Sequence, residues 1–237
     1  MRTAPSDTAI LLFAHAAEQE AKTKSFSSGR SAQTNKKIAR ALLEHTLGVL
    51  YESQIPLFTV YTAQQKGNTF GERLANAFQD VFEAGYQRVI CVGSDCPTLA
   101  VSDLLQAQRA LQQHSMVIGP AADGGAYLIG MHIGCFDPES FAMLNWQTEQ
   151  VQQELSIYSF RHQARLHGFV LLQKRADVDT KEDLGLVLEG LPVLNRFKLV
   201  ILAILSEGAA RAYTLRHFLR KPLSWKLQRL QLRAPPH

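Results

Sequence analysis

Two short runs of the chain combine residue types that can do chemistry with a position suited to it. In the first, the apolar stretch Val89-Ile90-Cys91-Val92 ends in Gly93-Ser94-Asp95-Cys96-Pro97. In an open parallel sheet, ligands bind in the crevice beyond the carboxyl ends of the strands. A carboxylate placed directly after such a strand can hold a hard divalent cation that bridges phosphates. The competing use of Asp95 is as a cap for the helix that follows Pro97, and position alone leaves both open. In the second run, Gly119-Pro120-Ala121-Ala122-Asp123-Gly124-Gly125-Ala126-Tyr127, a strand turns through Asp-Gly-Gly directly into another strand. Asp-Gly is a favoured hairpin dipeptide. It also leaves backbone uncovered by side chains, so the turn is a candidate floor for a sugar or ribose, with Asp123 as a carboxylate beside it.

Two further segments could complete such a site. Arg175-Ala176-Asp177-Val178-Asp179-Thr180 sets two alternating carboxylates before a helix start, so Asp179 or Asp177 could join Asp95 around a metal. The other reading is plain complementarity to the helix dipole. The stretch His15 to Arg30 follows the first strand and reads as a loop containing Lys22-Thr23-Lys24, cations able to neutralise a diphosphate. The Walker and Rossmann glycine fingerprints are missing. No GxSxG elbow occurs, and Cys96 has no evident histidine partner in sequence, so hydrolase readings are weak. The histidines His15 and His132 stand alone beside strands.

The elements that must position these residues alternate between strand-like and helix-like. Thr8–Ala14, Leu57–Tyr61, Arg88–Val92, Met116–Ile118, Tyr127–His132 and Phe169–Gln173 read as strands. Residues Ala32–Gln54 read as a helix with Ile38, Ala41, Leu42, His45 and Val49 along one stripe. Further helices are expected over Gly71–Ala84, Val101–Gln113, Glu149 to about Gln163 (with Thr148 as cap), and from Thr180 towards Glu189. Thr69-x-x-Glu72 and Thr180-x-x-Asp183 are capping-box patterns. Such alternation implies an α/β fold, a mostly parallel sheet with helices on both faces.

The bulk properties agree with a folded enzyme. With 237 residues, 46% hydrophobic and 19% charged, the chain can bury a substantial core and is not compositionally disordered. Three cysteines without a CxxC pair make neither a disulfide framework nor a zinc site, and a reducing cytoplasm is the expectation. There is no signal-peptide pattern and no apolar run long enough to span a bilayer. From Leu191 onward there are nine Lys/Arg and one acid, so the basic balance belongs to the tail and is no argument for nucleic-acid binding by the body. The expected division is an α/β domain over 1–190 and a basic, helical extension over 191–237. Leu194, Phe197, Val200, Ile201 and Ile204 recur there at helical spacing, suited to packing on the body or to peripheral contact with an anionic surface.

Several of these segments, in order, resemble the rSAM/selenodomain-associated transferase family (DUF2064-like), related to GT-A glycosyltransferases and to 2-phospholactate guanylyltransferase. The stretches that carry the resemblance include Ala21-Lys22-Thr23-Lys24, Gly71-Glu72-Arg73-Leu74, Val92-Gly93-Ser94-Asp95-Cys96-Pro97, Gly119 to Gly130, Trp146-Gln147-Thr148 and Asp177-Val178-Asp179-Thr180. They span residues 8 to 190. The resemblance implies a GT-A-like fold, a nucleotide-sugar donor and a Mg²⁺ or Mn²⁺ ion. It places Asp95 at the metal and Lys22 at the basic position of the first loop; of the two carboxylates before the late helix, Asp179 is the one expected to join Asp95. Ser94, Gly124, Gly125, Trp146 and Thr148 fall at ligand-binding positions, and Asp123 at the substrate turn. A metal-dependent glycosyltransferase is therefore the leading expectation. A nucleotidyltransferase is second, because Glu18 and Glu20 replace the glycine-rich, basic loop such enzymes use. A binding or scaffold homologue that has lost catalysis is third.

Overall fold

The computed structural model describes residues 7–26, 32–162 and 166–206. Six strands form one sheet: β1 (Thr8–Ala14), β2 (Leu57–Tyr61), β3 (Arg88–Val92), β4 (His114–Pro120), β5 (Ala126–His132) and β6 (His167–Leu171). Their spatial order is β2-β1-β3-β5-β4-β6. β5 alone runs against its neighbours; β1 is parallel to β2 and β3, and β4 is parallel to β6. Eight helices accompany them among the described residues: α1 (Ala17–Thr23), α2 (Ala32–Glu52), α3 (Phe70–Glu83), α4 (Val101–Ala110), α5 (Pro138–Ala142), α6 (Val151–His162), α7 (Lys181–Gly190) and α8 (Arg196–Ser206). The α/β architecture with a mostly parallel sheet is thus observed.

The strand side chains alternate between two layers, as the period of two requires. Ala9, Leu11, Val89, Cys91, Met116, Ile118, Ile129 and Met131 face one layer, where they meet Leu74, Phe78, Val81 and Phe82 of α3, Phe141 of α5 and Leu155 and Tyr158 of α6. Ile10, Leu12, Ile90, Val92, Val117 and Leu128 face the other, against Leu50 of α2 and Leu104 and Ala107 of α4. Burial on both faces explains why these strands read as continuous apolar runs.

Local chemistry explains the helix boundaries. Thr69 Oγ1 accepts from the Glu72 amide (3.1 Å), while the Glu72 carboxylate accepts from the amides of Asn68 and Thr69. Thr180 and Asp183 make the same reciprocal cap for α7. These are the two expected capping boxes. Two helices were not anticipated. α1 lies within the stretch read as a loop; Ala17-Glu18-Gln19-Glu20-Ala21-Lys22 are good helix formers, and Glu18 and Glu20 in the first turn suit the dipole. α5 is only five residues long, too short for periodicity to reveal, and is capped by Asp137 Oδ1 on the Ser140 amide, 2.8 Å.

A third apolar cluster joins α1, α2, α7 and α8. Phe26, Ile38, Leu42, Val178, Leu184, Leu188, Phe197 and Ile201 are all buried in it. The first helix beyond residue 190 therefore packs on α2 through Phe197 and Ile201, with Leu199 and Leu202 on its outer side. The residues of the basic extension after Ser206 lie outside the described structure. No helix among the described residues is long and apolar enough to cross a membrane.

His45 of α2 stands at this junction. Its ring lies 4.9 Å from that of Phe197, and Nε2 is 2.9 Å from the Pro97 carbonyl oxygen. Burial lowers its pKa from the ordinary value of 6.5, against the opposing pull of that carbonyl. The unfolded chain therefore binds a proton that the folded chain resists. Stability associated with His45 is complete above pH 6.5 and falls as pH drops from there through the lower folded value. In urea unfolding at pH 7 and pH 5, the wild type should lose more stability than His45→Gln. Equal losses in the two proteins would refute this role for the imidazole.

Candidate active site

The carboxyl ends of β1 and β3, the β4–β5 turn, the segment after β6 and the loop before α6 surround one open cavity of about 540 Å³. One wall is aromatic and apolar. Phe13 meets Phe70 edge to face at 5.8 Å, and Phe70 lies 5.7 Å from Trp146. Trp146 is held in place by its indole N–H, which donates to the Phe141 carbonyl at 2.9 Å.

The opposite wall is acidic around a single lysine. Lys24 caps the C-terminal end of α1, and its Nζ lies 2.7 Å from Asp95 Oδ2, 2.7 Å from Asp179 Oδ1 and 2.9 Å from Glu20 Oε1. Burial disfavours the charged ammonium, but Asp95, Glu20 and Asp179 outweigh it, and the Lys24 pKa lies well above the ordinary lysine value. The same balance applies to Asp95: burial works to raise its pKa, yet Lys24 holds it below the usual carboxylate value. Asp177 has no such partner. Burial, with Asp95 and Asp123 nearby, pushes its pKa up to about 8, so it holds a proton at neutral pH. Its Oδ1 is buried and makes no hydrogen bond.

Backbone contacts set this geometry. Asp95 does not cap a helix: α4 begins at Val101, and Asp103 satisfies the Ala100 amide at 2.8 Å. Asp95 instead accepts the Val178 amide through its main-chain oxygen, 2.8 Å, which fixes it beside the segment carrying Asp177 and Asp179. The Ser25 amide donates to the Asp179 carbonyl at 3.1 Å, so Lys24 and Asp179 are also neighbours through the backbone. That segment is further tied to the sheet by Arg175. Its amide donates to the Pro120 carbonyl (3.1 Å), and its Nη2 lies 2.8 Å from both carboxylate oxygens of the buried Asp103. The guanidinium also stands over the Tyr127 ring, 6.0 Å from the centroid.

The sequence-predicted residues separate clearly on this geometry. Ser94, Asp95, Asp123, Gly125, Trp146, Thr148 and Asp179 all line the cavity. Lys22 does not: it is exposed on α1, and the helical turn carries Lys24 inward in its place. Gly124 is outside the lining too. It has φ 93°, and a Cβ there would lie 2.1 Å from the Glu149 carbonyl oxygen. This glycine permits close packing of the turn on the loop before α6. The hairpin reading of the turn also holds, with the Gly125 amide donating to Asp123 Oδ1 at 2.9 Å. Glu18 points away and pairs with Lys36 at 2.8 Å. The sequence offers Asp177 as the alternative to Asp179 and Lys24 alongside Lys22, but not Glu20 as a site residue; the i,i+4 spacing of Glu20 and Lys24 becomes a signal only once the segment is known to be helical. His15 lines the cavity with Nδ1 2.8 Å from Thr62 Oγ1. All three cysteines are buried, and burial raises their pKa values, to about 12 for Cys96 and Cys135, which disqualifies them as nucleophiles.

The α/β fold around this cavity is shared with solved structures. Residues 32–148 match the family described as "Uncharacterized protein conserved in bacteria (DUF2064)". A crystal structure of a candidate nucleotide-diphospho-sugar transferase from Desulfovibrio desulfuricans G20 superposes with a TM-score of 0.74, at 24% identity over 85% of this chain and 98% of that one. Rv0371c from Mycobacterium tuberculosis H37Rv superposes with a TM-score of 0.50, at 17% identity over 78% of this chain and all of the other. A structure of Rv0371c in complex with manganese superposes with a TM-score of 0.45, at 14% identity over 77% and 98% of the two chains. At these identities the likeness to the first two shows the fold. No protein of curated function matches the chain.

The Asp103–Arg175 pair generates a direct prediction. Arg175→Met would leave the Asp103 carboxylate buried without its partner, which costs about 3–5 kcal/mol. Denaturant unfolding should show this loss. A value within about 0.5 kcal/mol of wild type would show that the pair does not anchor the Asp177–Asp179 segment.

Proposed function

We propose that the protein is a transferase that takes a group from a nucleotide-diphospho-sugar donor, with the cavity between the aromatic and acidic walls as its active site. The observation that supports this best is the convergence of Asp95, Asp177, Asp179 and Lys24 beyond the carboxyl ends of the central strands, where open α/β sheets bind their ligands. Phe13, Phe70 and Trp146 offer a surface on which a sugar or base can lie.

A donor diphosphate carries charge of the same sign as most of this cavity, and a divalent cation would resolve that conflict. The chemistry of the donor set fits Mg²⁺ or Mn²⁺: Asp95 and Asp179 supply hard carboxylate oxygens, and Asp177, whose buried Oδ1 lacks a partner, could add a third on giving up its proton to the cation. Asp95 and Asp179 are the residues that would hold the ion, with Asp177 beside them. Among the described residues no three such side chains are yet arranged as a metal site; Asp95 and Asp179 converge on the Lys24 ammonium. When bound, the ion supplies positive charge for the leaving diphosphate. Asp123, exposed at the rim with Oδ1 held by the Gly125 amide, would orient an acceptor hydroxyl or accept its proton.

The test is a thermal-shift panel of UDP-, GDP-, ADP-, CDP- and dTDP-linked sugars and the nucleoside triphosphates, each with and without Mn²⁺. A ligand that binds only the folded state raises the melting temperature by mass action. One nucleotide class should stabilise the wild type in the presence of Mn²⁺, and Asp95→Asn should abolish the shift. A shift that survives Asp95→Asn would remove Asp95 from the site. The absence of any shift on folded protein would defeat the transferase reading.

A further inference from the structure

We propose that Lys24 is a resident counter-cation that a divalent metal must displace from Asp95 and Asp179, and that the displaced ammonium, still paired with Glu20, then serves the donor diphosphate. The inference rests on the transferase reading for its second half only; the exchange itself stands on the geometry of the acidic wall.

The three ion pairs of Lys24 are unlike one another. The pair with Glu20 is made within one helical turn of the same element, between two side chains that are 16% and 10% exposed. The pairs with Asp95 and Asp179 cross to other segments, and those carboxylates keep 33% and 52% of their side-chain surface accessible. A cation arriving through the cavity therefore meets the latter two first, and Lys24 retains a buried partner when it yields them. A lysine suits such an exchange because its charge is compact and sits on a flexible four-carbon stem.

The cage does not depend on the lysine for its shape. The Val178 amide bonds the Asp95 carbonyl, the Ser25 amide bonds the Asp179 carbonyl, and Arg175 ties the same segment to Asp103. Only the Lys24 side chain has to move for the carboxylates to be vacated. Charge balance gives the exchange its direction. Among the described residues, Glu20, Asp95, Asp123, Glu149 and Asp179 line the cavity as acids, with Lys24 as their one lysine or arginine counterpart. An anionic donor alone would add to the excess of acid. A metal on Asp95 and Asp179, together with a freed ammonium, presents two cations to it. The lysine consequently neutralises the carboxylates in the absence of ligand and makes metal binding depend on an anion that can take up the released ammonium.

Lys24→Met tests this, with Mn²⁺ affinity measured on the full-length chain by electron paramagnetic resonance of the free ion. Without nucleotide, Lys24→Met should bind Mn²⁺ roughly tenfold or more tightly than wild type, in the range of ordinary site-to-site coupling. The nucleotide diphosphates UDP and GDP should tighten Mn²⁺ binding by the wild type and have a smaller effect on the variant. Equal or weaker Mn²⁺ binding by a folded Lys24→Met, without nucleotide, overturns the exchange. Lys24→Arg keeps the charge and provides a second reading should the methionine variant not fold. It should bind Mn²⁺ no more tightly than wild type, and tighter binding overturns the proposal equally. Tighter Mn²⁺ binding by Lys24→Met with no effect of either nucleotide on either protein would confirm the exchange while retiring the diphosphate role and the transferase reading behind it.

Discussion

A single ammonium group among three carboxylates is the interaction around which this molecule's candidate site is organised. Glu20, Asp95 and Asp179 come from three segments, and each would oppose the others without the charge of Lys24 between them. Burial makes both sides of the balance large. It disfavours the lysine cation and the aspartate anion separately, and each is retained because the other is there. Asp177, a few ångströms of chain away but without a cation of its own, takes the alternative course and holds its proton.

Such a concentration of charge is tolerated because the surrounding framework is stiff and apolar. The central strands are covered on both faces, and the backbone hydrogen bonds that place Asp95, Ser25 and Val178 side by side continue the ladder beyond the strand ends. Outside the cavity, the Asp103–Arg175 pair carries a second buried charge interaction, closed by the Tyr127 ring and by the cap that Asp103 provides to α4. One pair is a structural tie. The other faces an opening large enough for a ligand, and that difference in access separates a structural ion pair from a candidate functional one.

Much of this was legible in the chain. Arg88–Val92 reads correctly as a strand, to the residue, because a segment buried on both faces is apolar throughout. α3 and α7 are marked by capping boxes, whose chemistry is local. Asp95, Asp123 and Asp179 could be picked out because each follows or precedes a recognisable element. The basic residue of the first loop could not be chosen by the same means. Lys22 and Lys24 are equivalent as letters in an assumed loop; only the helical path of α1 turns one outward and the other into the cavity. Gly124 is ambiguous for a related reason, since a glycine that admits a ligand and one that admits a neighbouring main chain look alike until the loop before α6 is in place.

Composition, periodicity and capping are properties of neighbouring residues, and so the sequence by itself determined the class of fold, most of its elements and the carboxylates at their ends. Tertiary structure decided which of those carboxylates share a cation, which one keeps a proton, and on which face the extension's first helix docks. Those outcomes depend on the sheet order β2-β1-β3-β5-β4-β6, which sets the ends of β1 and β3 beside each other and the segment after β6 across from them. Electrostatic energy depends on distance and burial, neither of which exists for residues far apart in the chain until the sheet has closed around them.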